Sequence, residues 1–210
     1  MEYKESIALA IDNIIHFGDT DIFPNSIENI IFEDCRQQII EHFIKLDKEW
    51  NQEGKFQEDL ADNSIANFST ACPVGSTGYR WATLIDPYWN LYFLSKVLQI
   101  ADTIEQNRIS EDYVYSYRFA PTVDKGALFN KDINWKKFQL DSISLCENEE
   151  IKYVVSCDIA DFYPRIYHHR LENALQRLSI GEPNVQNSVK KITTLMQKFS
   201  DTKSYGLPVG

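Results

Sequence analysis

Two aspartates three residues apart, Asp158 and Asp161, close an apolar run at 151–157 and are followed at once by Phe162 and Tyr163. The run Ile-Lys-Tyr-Val-Val-Ser-Cys has the composition of a buried strand. It predicts a rigid backbone that delivers Asp158 to its C-terminal end. A carboxylate held that way suits magnesium, a hard ion for which one or two Asp plus substrate phosphates and waters suffice. Two such ions about 3.5–4 Å apart can activate an attacking oxygen and stabilise a leaving phosphate. Asp-x-x-Asp alone fits a solvated turn after a strand equally well, and for a bare tetrapeptide that bland reading is preferred. Cys157, inside the run, reads as a small buried hydrophobe. The adjacent His168 and His169 do not face one ion and read as the polar start of a helix.

The elements around these residues follow from periodicity. Ile7, Ile11, Ile14 and Ile15 predict a helix over 5–17, stopped by Gly18. Asn25 and Glu28 form a capping pair for a second helix running to about Trp50, with Cys35, Ile39, Phe43 and Leu46 on one face. Residues 51–69 are polar and without clear period, which predicts a loop or a mobile insertion. Gly75–Gly78 makes a turn, and Tyr79–Ile85 a short strand containing Arg80. Asp86 and Pro87 start a helix carrying Leu91, Leu94, Leu98, Ala101 and Ile104. Strict alternation over 113–119 predicts a strand, and 121–150 an irregular excursion, helical around Trp135 to Phe138. After the apolar run come helices on Leu171, Leu175 and Leu178, and on Val185, Val189, Ile192, Met196 and Phe199, parted by Gly181-Glu-Pro183. The chain closes on a glycine-bracketed turn over 204–210. Strands mixed with helices, without β-α-β regularity, favour an α+β fold.

At 210 residues, with 43% hydrophobic and 25% charged residues, the chain has an ordinary globular composition and is not mainly disordered. Its net charge of −10 counts weakly against a nucleic-acid partner, because a local basic lining can sit within an acidic shell. Cys35, Cys72, Cys146 and Cys157 are scattered without a zinc or disulfide spacing. No signal-like or membrane-spanning stretch stands out, so the expected location is the cytoplasm, without membrane association.

Longer segments say more than the acids alone. Asp158-Ile-Ala-Asp-Phe-Tyr163, preceded by Tyr-Val-Val-Ser, resembles the first palm motif of reverse transcriptases. Its continuation, Pro-Arg-Ile-Tyr-His-His-Arg-Leu-Glu-Asn-Ala-Leu, resembles the bacterial branch that includes the antiphage defence-associated and abortive-infection enzymes. Gly206-Leu-Pro-Val-Gly210 is similar to the next palm motif. Gly18–Pro24, Asp86-Pro87 and Ser116-Tyr-Arg118 resemble N-terminal and fingers segments of that branch.

The resemblance implies a right-hand polymerase: a helical N-terminal region over 1–70, a fingers-like region over 71–150 and a partial palm over 151–210. It implies an RNA-directed DNA polymerase that uses magnesium, or manganese in its stead, in bacterial antiviral defence. Asp158 would be a catalytic metal ligand, joined by the backbone carbonyl of Ile159. Tyr163 would lie beneath the incoming sugar and clash with a 2′-hydroxyl, selecting deoxynucleotides; a core tyrosine is an equal alternative from the residues alone. Gly206, Leu207, Pro208, Val209 and Gly210 would form the turn facing the nascent pair, with Val209 where many members carry Gln. Arg80 and Arg118 would clamp the triphosphate, for which Arg has the bidentate geometry, and Lys125 has a weaker case. The implied partners are an RNA template, a DNA product and deoxynucleoside triphosphates, together with a dedicated non-coding RNA and a second copy of the chain.

The family's other carboxylates, in a Tyr-x-Asp-Asp hairpin, do not occur in these 210 residues. The expectation is therefore a fragment of a longer enzyme, inactive by itself. A non-catalytic polymerase-like module that binds RNA or protein is the main alternative. A magnesium-dependent transferase using Asp158 and Asp161 is a third, and it leaves the terminal glycine turn unexplained.

Overall fold

The computed structural model describes residues 1–20, 26–76, 78–122, 126–148, 150–200 and 203–208. Asn25, Lys125, Val209, Gly210 and most of the Gly18–Pro24 segment lie outside them. The fold is α+β: a mainly helical body with a small antiparallel sheet of two strands.

The first core is built on α1 (Tyr3–Phe17), whose Ile7, Ala10, Ile11 and Ile14 are buried at i, i+3, i+4 and i+7 spacing. Gly18 ends α1 with φ +86, and its N–H donates to the Ile14 carbonyl. The expected helix to Trp50 is two helices, α2 (Ser26–Asp34) and α3 (Arg36–Trp50), broken at Cys35. Residues 51–69, expected to be a loop, contain α4 (Lys55–Asp62) and the start of β1 (Asn67–Val74). Only the pair Phe56 and Leu60 is buried on α4, one turn apart, too short a stripe to reveal a period. β2 (Gly78–Ile85) pairs with β1 from Asn67 opposite Ile85 to Val74 opposite Gly78.

Asp86 caps α5 (Pro87–Gln106), accepting N–H bonds from Tyr88 and Trp89, with Pro87 at the first helical position. α1, α3, α4 and α5 share the first core with Leu195 and Phe199 of α8 (Pro183–Phe199). A second core gathers Ile100 of α5, Leu175 of α7 (His168–Leu178) and Val189, Ile192 and Met196 of α8. Beneath both lies a buried ionic knot. The Asp47 carboxylate receives Lys96 at 2.8 Å, Lys191 at 2.6 Å and the Tyr92 hydroxyl at 3.0 Å, tying α3, α5 and α8 together.

Two expected strands are absent among the described residues. Over 113–119 only Phe119 bridges, to Phe129. Side chains take the backbone groups that a ladder would use. Arg108 donates to the carbonyls of Ser116 and Tyr117, and Glu105 accepts the Phe119 N–H. The second is the apolar run before Asp158. It is irregular and exposed, with Tyr153 88% and Val155 85% accessible, and no backbone hydrogen bond engages 152–157 among the described residues. Cys157, expected in the core, is exposed. The composition of this run is that of a buried strand, but burial requires a partner strand, and none pairs with it here. α6 (Trp135–Cys146), just upstream, buries no residue and exposes Trp135, Leu140, Ile143 and Leu145.

Candidate functional site

Asp158 leaves the extended run on the surface, its carboxylate accepting the N–H of Ile159 at 2.9 Å. The chain then turns at Asp161, which adopts φ +55, a left-handed conformation that Asp tolerates better than most residues. Asp161 also pairs with Arg165 at 3.2 Å on the surface. A single 3₁₀ turn, Tyr163–Arg165, leads into α7. The Tyr163 ring is half exposed and packs edge-on against Phe162 at 5.2 Å between centroids.

This turn is joined to the glycine turn some forty residues later. The Gly206 N–H donates to Ile166 O at 2.8 Å, Leu207 N–H to Tyr163 O at 3.0 Å, and His168 N–H to Ser204 O at 3.0 Å. Tyr167 and Tyr205 form an antiparallel bridge within the same contact. Gly206 has φ +90, and a Cβ there would meet the Pro164 carbonyl at 3.4 Å, so a side chain would strain both the backbone and the contact. The Leu207 side chain packs against the second core.

A cleft of about 480 Å³ opens between this junction and the hairpin, lined by Trp81, Thr83, Pro164, Lys203, Tyr205 and Pro208 among others. Trp81 and Thr83 share one face of β2, because side chains alternate along a strand. Arg80 projects from the opposite face, across from Cys72, and does not line the cleft. Arg118 is placed otherwise than the sequence suggests. Its guanidinium is 8% accessible as a residue, pairs with Glu105 at 3.0 Å and donates to the Ile109 carbonyl. That arrangement holds the segment after α5 and leaves the group committed. Burial alone would raise the Glu105 carboxyl; the Phe119 N–H, Arg118 and Arg108 outweigh it and hold it below its ordinary value.

Of the residues expected at a site, Tyr163, Gly206, Leu207 and Pro208 are brought together, and Asp158 lies five residues before Tyr163 on the same surface segment. Asp158 and the Ile159 carbonyl are oxygen ligands of the kind magnesium takes. Among the described residues no group of three or more His, Cys, Asp or Glu converges to hold an ion. One carboxylate does not complete a two-ion centre. Residues the sequence did not single out are Trp81, Lys203, Ser200 and His168. His168 starts α7 as the sequence suggests, yet it is 4% accessible and bonded to the glycine turn. Only the contact across forty residues reveals that role.

Among the described residues no helix is long and apolar enough to cross a membrane. In comparisons with known proteins the chain matches no family model, no curated protein and no solved structure.

Proposed function

We propose that this chain supplies the fingers-like region and the first half of the palm of a bacterial RNA-directed DNA polymerase acting in antiphage defence. The observation that carries the proposal is the junction of Tyr163–His168 with Ser204–Leu207. Two segments that resemble successive palm motifs, far apart in sequence, meet through paired backbone hydrogen bonds. Such a contact is what a shared nucleotide site needs, and it also seats Leu207 on the second core. The cleft beside it, with Trp81 and Tyr205 as stacking surfaces and Lys203 as a cation, suits a nucleic-acid strand.

Asp158 is then one ligand of a two-metal centre whose other carboxylates come from outside these residues. The unpaired backbone of 152–157 offers a ladder on which a strand bearing them can add. The net charge of −10 favours a second reading, a polymerase-like module that binds RNA or a protein partner without chemistry. The two part on one experiment. In the polypeptide that carries Asp158 and the further carboxylates, Asp158→Ala abolishes deoxynucleotide incorporation on an RNA template. It leaves unfolding free energy within about 0.5 kcal/mol, since the side chain is exposed and, among the described residues, bonds only its neighbour. Synthesis that survives the substitution removes Asp158 from the mechanism, and a wild type that never incorporates favours the module.

A further inference from the structure

His168 is the least expected group at the junction. Its ring is buried at the start of α7, and Nε2 lies 2.6 Å from the Gly206 carbonyl. A carbonyl oxygen only accepts, so Nε2 carries a proton and donates it to this bond. Nδ1 is buried without a partner among the described residues, which makes the bond to Gly206 the ring's one polar attachment there. The Ser200 hydroxyl donates to the same oxygen at 2.9 Å. Both lone pairs of that carbonyl are therefore taken.

The consequence passes along the backbone. The Gly206 carbonyl and the Leu207 N–H belong to one planar peptide unit, so fixing the first aims the second. Leu207 N–H bonds the carbonyl of Tyr163 at 3.0 Å, and Gly206 N–H bonds Ile166 at 2.8 Å. With φ +90, Gly206 has the freest backbone of the turn and is the residue most in need of an external hold. His168 provides it from a helix anchored in the second core through Leu175.

We propose that His168 is a positioning residue: by clamping the Gly206 carbonyl it holds the glycine turn in register with Tyr163, and so sets discrimination between deoxy- and ribonucleotides. The second half of this inference rests on the polymerase reading, which gives Tyr163 its place beneath the sugar. The first half does not.

Two substitutions separate the donor from the ring. His168→Phe keeps the ring's bulk and loses the N–H; His168→Gln keeps an amide donor at similar reach. Ser200→Ala removes the other donor from outside α7 and serves where His168→Phe impairs folding. Exchange of the Leu207 amide is read by mass spectrometry on residues 203–208, and selectivity as the ratio of kcat/KM for deoxy- over ribonucleotide. The expected result is about tenfold faster Leu207 exchange and about tenfold lower selectivity in His168→Phe, a smaller loss in Ser200→Ala, and recovery of both in His168→Gln. Unchanged Leu207 exchange in both His168→Phe and Ser200→Ala overturns the clamp. Faster exchange with undiminished selectivity, in an enzyme that still incorporates, overturns the link to Tyr163. A wild-type polypeptide that carries Asp158 and the further carboxylates yet incorporates neither nucleotide overturns the polymerase reading, and exchange at Leu207 alone then decides the clamp.

Discussion

Asp47 faces two ammonium groups in the interior, an imbalance that a folded chain tolerates only with dense hydrogen bonding. Lys191 also reaches the Asn51 side chain at 2.7 Å, and Lys96 reaches Gln99 at 3.2 Å while lying 3.5 Å above the Tyr3 ring. Burial alone would raise the Asp47 carboxyl; the Lys96 charge and hydrogen bonds from both lysines outweigh it and hold the carboxyl below its ordinary value. Burial dominates for Lys96 and pushes its ammonium down to about 8, against the pull of Asp47. Between that value and the ordinary 10.5 the unfolded chain binds more protons than the folded one, so this site makes stability rise with pH across the window. Lys96→Met removes the titration and leaves Asp47 paired with Lys191 one to one. The variant should be at least as stable as wild type at pH 7. Wild type should gain on it between pH 8 and 10, by on the order of 2 kcal/mol, in urea unfolding followed at several pH values. The buried Tyr3 and Tyr92 are present in both proteins, so the difference isolates Lys96. A constant difference across the window would mean that Lys96 keeps its ordinary affinity for protons.

α5 shows what local sequence can specify. Asp86 and Pro87 mark its start, and its apolar stripe of Leu91, Leu98 and Ala101 is buried as the spacing requires. Asp86→Ala leaves the Tyr88 and Trp89 N–H groups without their acceptor and should cost about 1 kcal/mol. Asp86→Asn should restore most of it, as judged by paired thermal melts. α1, α7 and α8 were legible for the same reason, because a long stripe at helical spacing needs only a core to face. The elements that misled were those whose fate depends on distant partners. The alternation of Tyr113 to Phe119 and the β-branched run before Asp158 both promise strands. Among the described residues neither finds a ladder, the first because Glu105 and Arg108 occupy its backbone, the second because none of them pairs with it. β1 was hidden by Pro73 and by a sequence with little alternation, and it exists because β2 completes it. At the candidate site the acid, the tyrosine and the glycine turn were visible as residue types. The buried His168 and half-buried Ser200 that lock them together were not, because a hydrogen bond between remote residues leaves no local pattern.

Charge is distributed unevenly over the molecule, in a way the net value of −10 conceals. Residues 1–151 carry 13 Lys and Arg against 26 Asp and Glu, whereas residues 152–210 carry 8 against 5. In the latter part Arg170 and Arg177 are exposed one above the other on α7 at i, i+7, with Asn173 between them. Lys190 and Lys198 are exposed two turns apart on α8, which packs against α7. Arg170, Arg177, Lys190 and Lys198 on the adjoining α7 and α8 therefore give a polyanion an exposed basic side within an otherwise acidic chain. Under the proposed function, single-stranded RNA should bind on the basic side, and its affinity should fall with salt by about 0.7 in log–log slope per phosphate neutralised. Arg170→Glu combined with Arg177→Glu should weaken binding similarly for RNAs of different sequence and flatten that slope by about 1–1.5. Lys45→Glu with Lys48→Glu, on the exposed side of α3 in the acidic part, changes the net charge equally and should leave the slope as it was. Equal losses from both pairs, measured by fluorescence anisotropy from 50 to 200 mM salt, would mean that net charge alone governs binding. Loss confined to the α7 pair would assign the RNA path to the part of the chain that carries Asp158 and the glycine turn.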